Sequence, residues 1–140
     1  MVKNPIKVSM GKKSRAVGKR FEIRVRQDLE SKGWIIDRWI NNVLFEGNGR
    51  LAPAKPKYNP FTKQLMMAIG GFPDFIAYSK AGDVDDRRIV IGVESKIAGT
   101  LDAIEKEKCK WLLDNQIFSK IFIASKGTKR GEIKYNEFQR

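Results

Sequence analysis

Two short apolar runs constrain this chain more than any other feature, one entered through a proline and the other left through two charges. The first is PDFIAYS (73–79) and the second RRIVIGVESK (87–96). Both are rich in β-branched and aromatic residues. AGDVDD (81–86) lies between them, so they read as strands joined in a hairpin across a turn. Side chains alternate along a strand, which puts Glu94 and Lys96 on one face. Their neighbours Ile89, Val90, Ile91 and Val93 make a costly setting for two charges without partners. Antiparallel pairing would bring Asp74, at the start of the first strand, beside Glu94 near the end of the second. Two carboxylates and an ammonium then share one edge of the sheet. Like charges that close call for a hard cation between them, Mg²⁺ with Mn²⁺ able to substitute.

The remaining segments supply cover for such a sheet. Between about 14 and 32, Val17, Phe21, Val25 and Leu29 recur every fourth residue as one apolar stripe, closed by Gly33 in the C′ position. WIIDRWI (34–40) predicts a strand. Residues 101–115 predict a helix with Leu101, Ile104, Cys109, Trp111 and Leu112 on its apolar side, and SKIFIAS (119–125) predicts a further buried strand. Asn, Gly, Pro and Lys dominate 41–72, which predicts a long basic loop with a short helix at about 61–69. In the polar tail, EIKYNEF predicts one strand or helix. The expectation is an α/β fold in a single domain over 14–140, preceded by a flexible basic arm at 1–13. Its core order is α-β-β-β-α-β, a mixed β-sheet flanked by helices.

Charge indicates a partner. Residues 1–26 carry nine basic side chains against one acid, Glu22, and so hold +8 of the chain's net +12. Clustered cations suit a polyanion, because each neutralised phosphate releases counterions. A solubilising tail or a patch for anionic lipid is the plainer alternative. Arg15, Lys19, Glu22 and Arg26 follow helical spacing, and Glu22 falls at the margin of the apolar stripe. It is either a third site carboxylate or the partner of Lys19 or Arg26 on a wet face.

Absences narrow the chemistry. The chain has no histidine, which removes His-metal nucleases, Ser-His-Asp hydrolysis and Cys-His zinc fingers. It has no phosphate-binding G-x-x-x-x-G-K-[ST] loop, so no nucleotide cofactor is expected. A single cysteine, Cys109, excludes an internal disulfide and reads as a semi-buried helix residue rather than a nucleophile. No apolar run approaches the ~18–20 residues of a membrane span, and no apolar stretch follows the basic N-terminus, so an intracellular, cytoplasmic location is expected, in a virus-infected host cell if the chain is viral. Asp83, Asp85 and Asp86 lack the Gly and distal Glu of a calcium loop and read as a solvated turn. Trp34, Trp39 and Trp111 read as core, whereas Tyr58 and Phe61, among lysines, are candidates for base stacking.

The set Glu22 … Pro73-Asp74 … Glu94-Ser95-Lys96 resembles the PD-(D/E)xK nuclease superfamily and its restriction-endonuclease-like fold. GKRFEIRVRQDLESKGWIIDR (18–38) resembles the archaeal Holliday-junction resolvases, whose opening helix bears a metal-site glutamate. GGFPDFIAYS with VESKIAGTLDAIEKEKCKWL also resembles the VRR-NUC branch. The likeness covers roughly 100 of the 140 residues. Two departures leave the subfamily open: 41–72 is longer than in small resolvases, and Lys108 stands where VRR-NUC members often carry Gln. The resemblance implies a Mg²⁺-dependent deoxyribonuclease in which Asp74, Glu94 and the Ser95 carbonyl hold the metal. Lys96 would orient or activate the attacking water, and Glu22 would bind the metal directly or through water, or hold a second ion. DNA, in branched form for a resolvase, would be gripped by Lys12, Lys13, Arg15, Lys19, Arg26, Arg38, Arg50, Lys55 and Lys57; Arg38, Asn41 and Asn42 either reach the scissile region or are ordinary loop polarity. A junction with two cleavage points implies a homodimer. Flaps, ends or plain duplex are alternative substrates, and a catalytically inactive DNA-binding protein on the same fold is the alternative from another class.

Overall fold

The stripe at every fourth position folds as a helix, α1 (Pro5–Ser31). The computed structural model of the chain describes residues 5–54, 57–66, 71–79 and 89–140. Helix α1 begins well ahead of the expected start at 14, so 5–13 is helical rather than a flexible arm; 1–4 lie outside the described residues. Proline suits the first helical position, where its missing N–H is not needed and its φ is preset, and the Lys, Met and Arg that follow are good helix formers. Phe21, Val25 and Leu29 are buried, but Val17, one turn before them on the same stripe, is 44% exposed. Gly33, at φ 94°, closes the helix as expected, and the Trp34 amide donates back to the Leu29 carbonyl at 3.1 Å.

Nine strands follow among the described residues: β1 (Ile35–Arg38), β2 (Asn41–Leu44), β3 (Arg50–Pro53), β4 (Lys57–Asn59), β5 (Gln64–Met66), β6 (Phe75–Tyr78), β7 (Val90–Ser95), β8 (Lys120–Lys126) and β9 (Ile133–Glu137). One further helix, α2 (Ala103–Asp114), connects β7 to β8. The central sheet has the order β1-β6-β7-β8-β9, antiparallel throughout except for the parallel pair β7–β8 that α2 crosses over. It is therefore a mixed sheet in a mixed α/β fold. The hairpin read from sequence is present, with Phe75 opposite Val93 and Tyr78 opposite Val90. Its connection at 80–88, with the expected turn at Asp83, Asp85 and Asp86, lies outside the described residues.

Strand alternation sorts the core into two layers. Ile36, Phe75, Ala77, Ile91 and Val93 pack with Phe21, Val25 and Leu29 of α1. Ile76, Val90, Ile121 and Ile123 point the other way and pack with Cys109, Leu112 and Leu113 of α2. Ile104, expected on that apolar side, is 63% exposed. It precedes Leu113 by nine residues, two and a half helical turns, and so faces water. Among the described residues no helix is long and apolar enough to cross a membrane.

The stretch expected as loop holds two hairpins, β2–β3 and β4–β5. Its Pro, Gly and Asn content masked short alternations such as the one that buries Val43. Trp111 of α2 donates its indole N–H to the Asn48 carbonyl at 2.7 Å, docking the β2–β3 turn. Gly49, at φ 86°, is required there, since a Cβ would come within 2.3 Å of that indole nitrogen. Over 61–66, the described part of the range, the short helix expected at 61–69 is replaced by a turn and a strand. Asn59 Oδ1 accepts from the amides of Phe61 and Thr62 instead, at 2.9 and 3.4 Å, and turns the chain into β5. Residues 67–70 lie outside the described set. In the tail, EIKYNEF forms a strand, β9.

Candidate active site

Register brings the two acids together. With Phe75 opposite Val93, Asp74 falls opposite Glu94 just outside β6. The Asp74 amide donates to Glu94 Oε2 at 3.1 Å, while the amide and hydroxyl of Ser95 donate to Asp74 Oδ2 at 2.8 and 2.7 Å. Glycine at 92 makes this fit possible. A Cβ there would stand 2.8 Å from Cγ of the fully buried Pro73 and 3.2 Å from the Phe118 ring. Neither Asp74 Oδ1 nor Glu94 Oε1 accepts a hydrogen bond among the described residues, yet neither is sealed from solvent. Each acid thus keeps one oxygen for an incoming ligand.

Burial governs their ionisation. Glu94 is only 6% exposed, and loss of hydration pushes its carboxyl up to about 9, aided by Asp74 and Glu105 and opposed by Lys96 and the Asp74 amide. Burial raises Asp74 too, against the Ser95 hydrogen bonds and the charges of Lys96 and Arg38. A site that holds two neighbouring carboxyls above their ordinary range favours the arrival of positive charge.

Lys96 shares the face of Glu94 but is held by a residue the sequence reading missed. Its ammonium meets Glu105 Oε2 at 2.6 Å. Burial alone would lower its pKa; the Glu105 hydrogen bond, then the charges of Glu105, Glu94 and Asp74, outweigh this and raise it. Glu105 also completes a capping box at the start of α2: its amide donates to Asp102 Oδ1 at 2.8 Å, and its Oε1 accepts from the Asp102 amide at 3.1 Å. The signal was present in the sequence as Asp102-x-x-Glu105 ahead of an apolar run. Cys109 lies on the same helix, fully buried, its thiol pushed up to about 12 by burial first and then by Glu94 and Glu105. The thiol is inert at neutral pH.

Glu22 approaches from the opposite layer. Partial burial raises its pKa, as does the charge of Asp74, while Arg38 and Lys19 pull it down. It lines an open groove of about 670 Å³ with Arg15, Gly18, Lys19, Ile23, Arg26, Arg38 and Phe75. Four of the nine expected DNA contacts therefore converge beside it. Arg26 is the most committed of these to the fold, donating to Glu30 at 2.7 Å and to the Ile36 carbonyl at 3.2 Å. Lys12 and Lys13 are exposed farther up α1. Arg50 stands apart on the β2–β3 hairpin, 3.4 Å from Glu46. Lys55 lies outside the described residues, and Lys57 opens β4. Asn42 Oδ1 accepts the Val43 amide at 2.8 Å.

Among the described residues no three His, Cys, Asp or Glu side chains form a ready cage for a metal ion. Asp74 and Glu94 form a pair, with Glu22 within electrostatic range rather than alongside. No protein-family model, curated protein or solved structure matches the chain.

Proposed function

We propose that this chain is a metal-dependent DNA endonuclease of the PD-(D/E)xK type, hydrolysing phosphodiesters. The observation that carries the reading is the direct link between Asp74 and Glu94, two desolvated acids twenty residues apart in sequence and joined across one strand pair. With the hairpins β2–β3 and β4–β5 set aside as insertions, the order α1, β1, β6, β7, α2, β8 supports a reading as a restriction-endonuclease-like α-β-β-β-α-β core. Glu22 and the cations beside it add a phosphate-binding face next to the acids.

The donor set fits a divalent cation: hard carboxylate oxygens, one on each of Asp74 and Glu94 reachable by solvent, in a place where burial disfavours uncompensated negative charge. The Ser95 carbonyl and Glu22 are the further candidates to hold it. When bound, such an ion supplies a water of lowered pKa and stabilises charge on the phosphate. Ser95 fixes the carboxylate of Asp74, and Glu105 fixes the ammonium of Lys96 near both acids. Arg38 and Lys19 meet a DNA phosphate beside Glu22. Symmetric cutting of a four-way junction requires a homodimer, whereas flaps, ends or duplex can be cut by one subunit.

A second reading, a DNA-binding protein on this fold without activity, is favoured by the capture of Lys96 by Glu105. Cleavage of labelled junction, flap, single-stranded and duplex DNA with Mg²⁺, with Mn²⁺ and without metal separates the two. Product that needs metal and disappears in Asp74→Asn supports the nuclease, and binding without product in every lane supports the alternative.

A further inference from the structure

The excursion between β3 and β6 leaves and rejoins the body at adjacent points. The Ala54 amide donates to the Ile40 carbonyl at 2.8 Å, and the Phe72 amide donates to the Asn41 carbonyl at 2.9 Å. Asp74 stands two residues beyond the second foot. Between the feet, no described side chain of the β4–β5 hairpin joins either apolar core. Its tip is nonetheless well built, with Asn59 Oδ1 gathering the amides of Phe61 and Thr62 and Lys63 taking φ 52°. The turn holds Phe61 out in water at 94% exposure, the most exposed large apolar side chain among the described residues, and Tyr58 is 59% exposed on the same hairpin. Phe61 and Tyr58 thus set two exposed aromatic rings on one hairpin, available for stacking.

Charge identifies the partner. Residues 47–73 carry Arg50, Lys55, Lys57 and Lys63 and no acid. A polyanion that also offers flat apolar faces fits both features, and the bases of DNA supply those faces between phosphates. In continuous duplex the faces are closed against one another. They open at a branch, a flap or a frayed end, where an apolar side chain can enter the stack. We propose that Phe61 stacks on a base exposed where duplex stacking is interrupted, so that the hairpin directs the neighbouring acids to branch points and ends rather than to continuous duplex. The inference rests on DNA being the ligand of the candidate site, and it narrows the substrate class of that site.

The test uses binding, not cleavage. The full chain in EDTA is titrated into a four-way junction and a flap, each with 2-aminopurine at the branch, beside a continuous duplex of equal length. The wild-type chain should quench the branch probe, and F61W should quench it too. F61A should bind branched DNA about ten- to a hundredfold more weakly, while duplex affinity stays within about twofold. Phe61 supports nothing in the described fold, so F61A is expected to fold normally. Because no metal is present, the nuclease reading can fail while this one stands. Unchanged branch affinity in F61A, equal loss on branched and continuous DNA, or no DNA binding by the wild type overturns the proposal. So does an F61A variant that keeps branched-DNA binding but loses binding to phosphatidylserine vesicles, which would make the tip a membrane contact.

Discussion

The two faces of the central sheet share the same strands but carry opposite electrostatics. Toward α2, Asp74 and Glu94 are withdrawn from water, linked to each other, and raised in pKa by burial. Toward α1, Glu22 lies in an open groove whose other charged walls are Arg15, Lys19, Arg26 and Arg38. Position alone does not separate them, since all three acids gather near the same end of β6. Solvent does. The closed face holds two acids that burial keeps from ionising freely until a cation arrives, and the open face spreads positive charge that asks for an anion. In the proposed reading, the acids hold the metal and the cations grip the DNA backbone beside it, so that ion and phosphate meet at one strand end.

The sharpest way to break this comparison is to remove one acid from the closed face. Asp74→Asn should lower kcat about 10³-fold while DNA affinity, measured by anisotropy in EDTA, holds. Normal turnover with added Mg²⁺ would sink the assignment. The closed face should also make the metal-free protein pH-sensitive. The Glu94 carboxyl rises from 4.5 to about 9 on folding, so its contribution is fully present below pH 4.5 and is lost as pH climbs through 9. Urea unfolding of the wild type should therefore weaken across that window. Glu94→Gln should lose less and be the more stable protein at pH 8–9.

A subtler break separates the two tasks of Glu105. Glu105→Gln keeps an oxygen for the Asp102 amide but presents an NH₂ where Lys96 docks. Stability should stay within about 0.5 kcal/mol, while kcat falls about ten- to a hundredfold with a shifted pH profile. An unaltered profile at full activity would reduce the Lys96 contact to a surface ion pair. The smallest effect belongs to the open face. Arg38→Ala should weaken all DNA substrates alike and reduce the slope of log K against log salt by about one. A loss confined to one sequence would show that Arg38 reads bases instead.

Most of the closed face was legible because it depends on a period of two. PDFIAYS and IVIGVESK alternate cleanly, and once they pair, the register that puts Phe75 opposite Val93 also puts Asp74 opposite Glu94. The tie between Lys96 and Glu105 was not legible, because it depends on how the parallel crossover lands α2 over the strand ends. The hairpins in 41–72 were obscured by composition: Gly47 and Gly49 signalled turns, but strands of three and four residues offer too few alternations to register. The apolar stripe predicts a helix only from about 14, whereas α1 begins at Pro5, because helix formation there does not depend on an apolar residue at every fourth position.

Residue 92 contributes nothing but backbone, and the spacing of the acid pair depends on that omission. With no side chain at 92, the Pro73 ring rests directly against the adjoining strand, and Asp74 is fixed by the residue before it. A single methyl at 92 would act as a shim, prying Pro73 upward and carrying Asp74 away from Glu94. The gap between the two acids can thus be tuned mechanically, with every ionisable group in the protein left as it was.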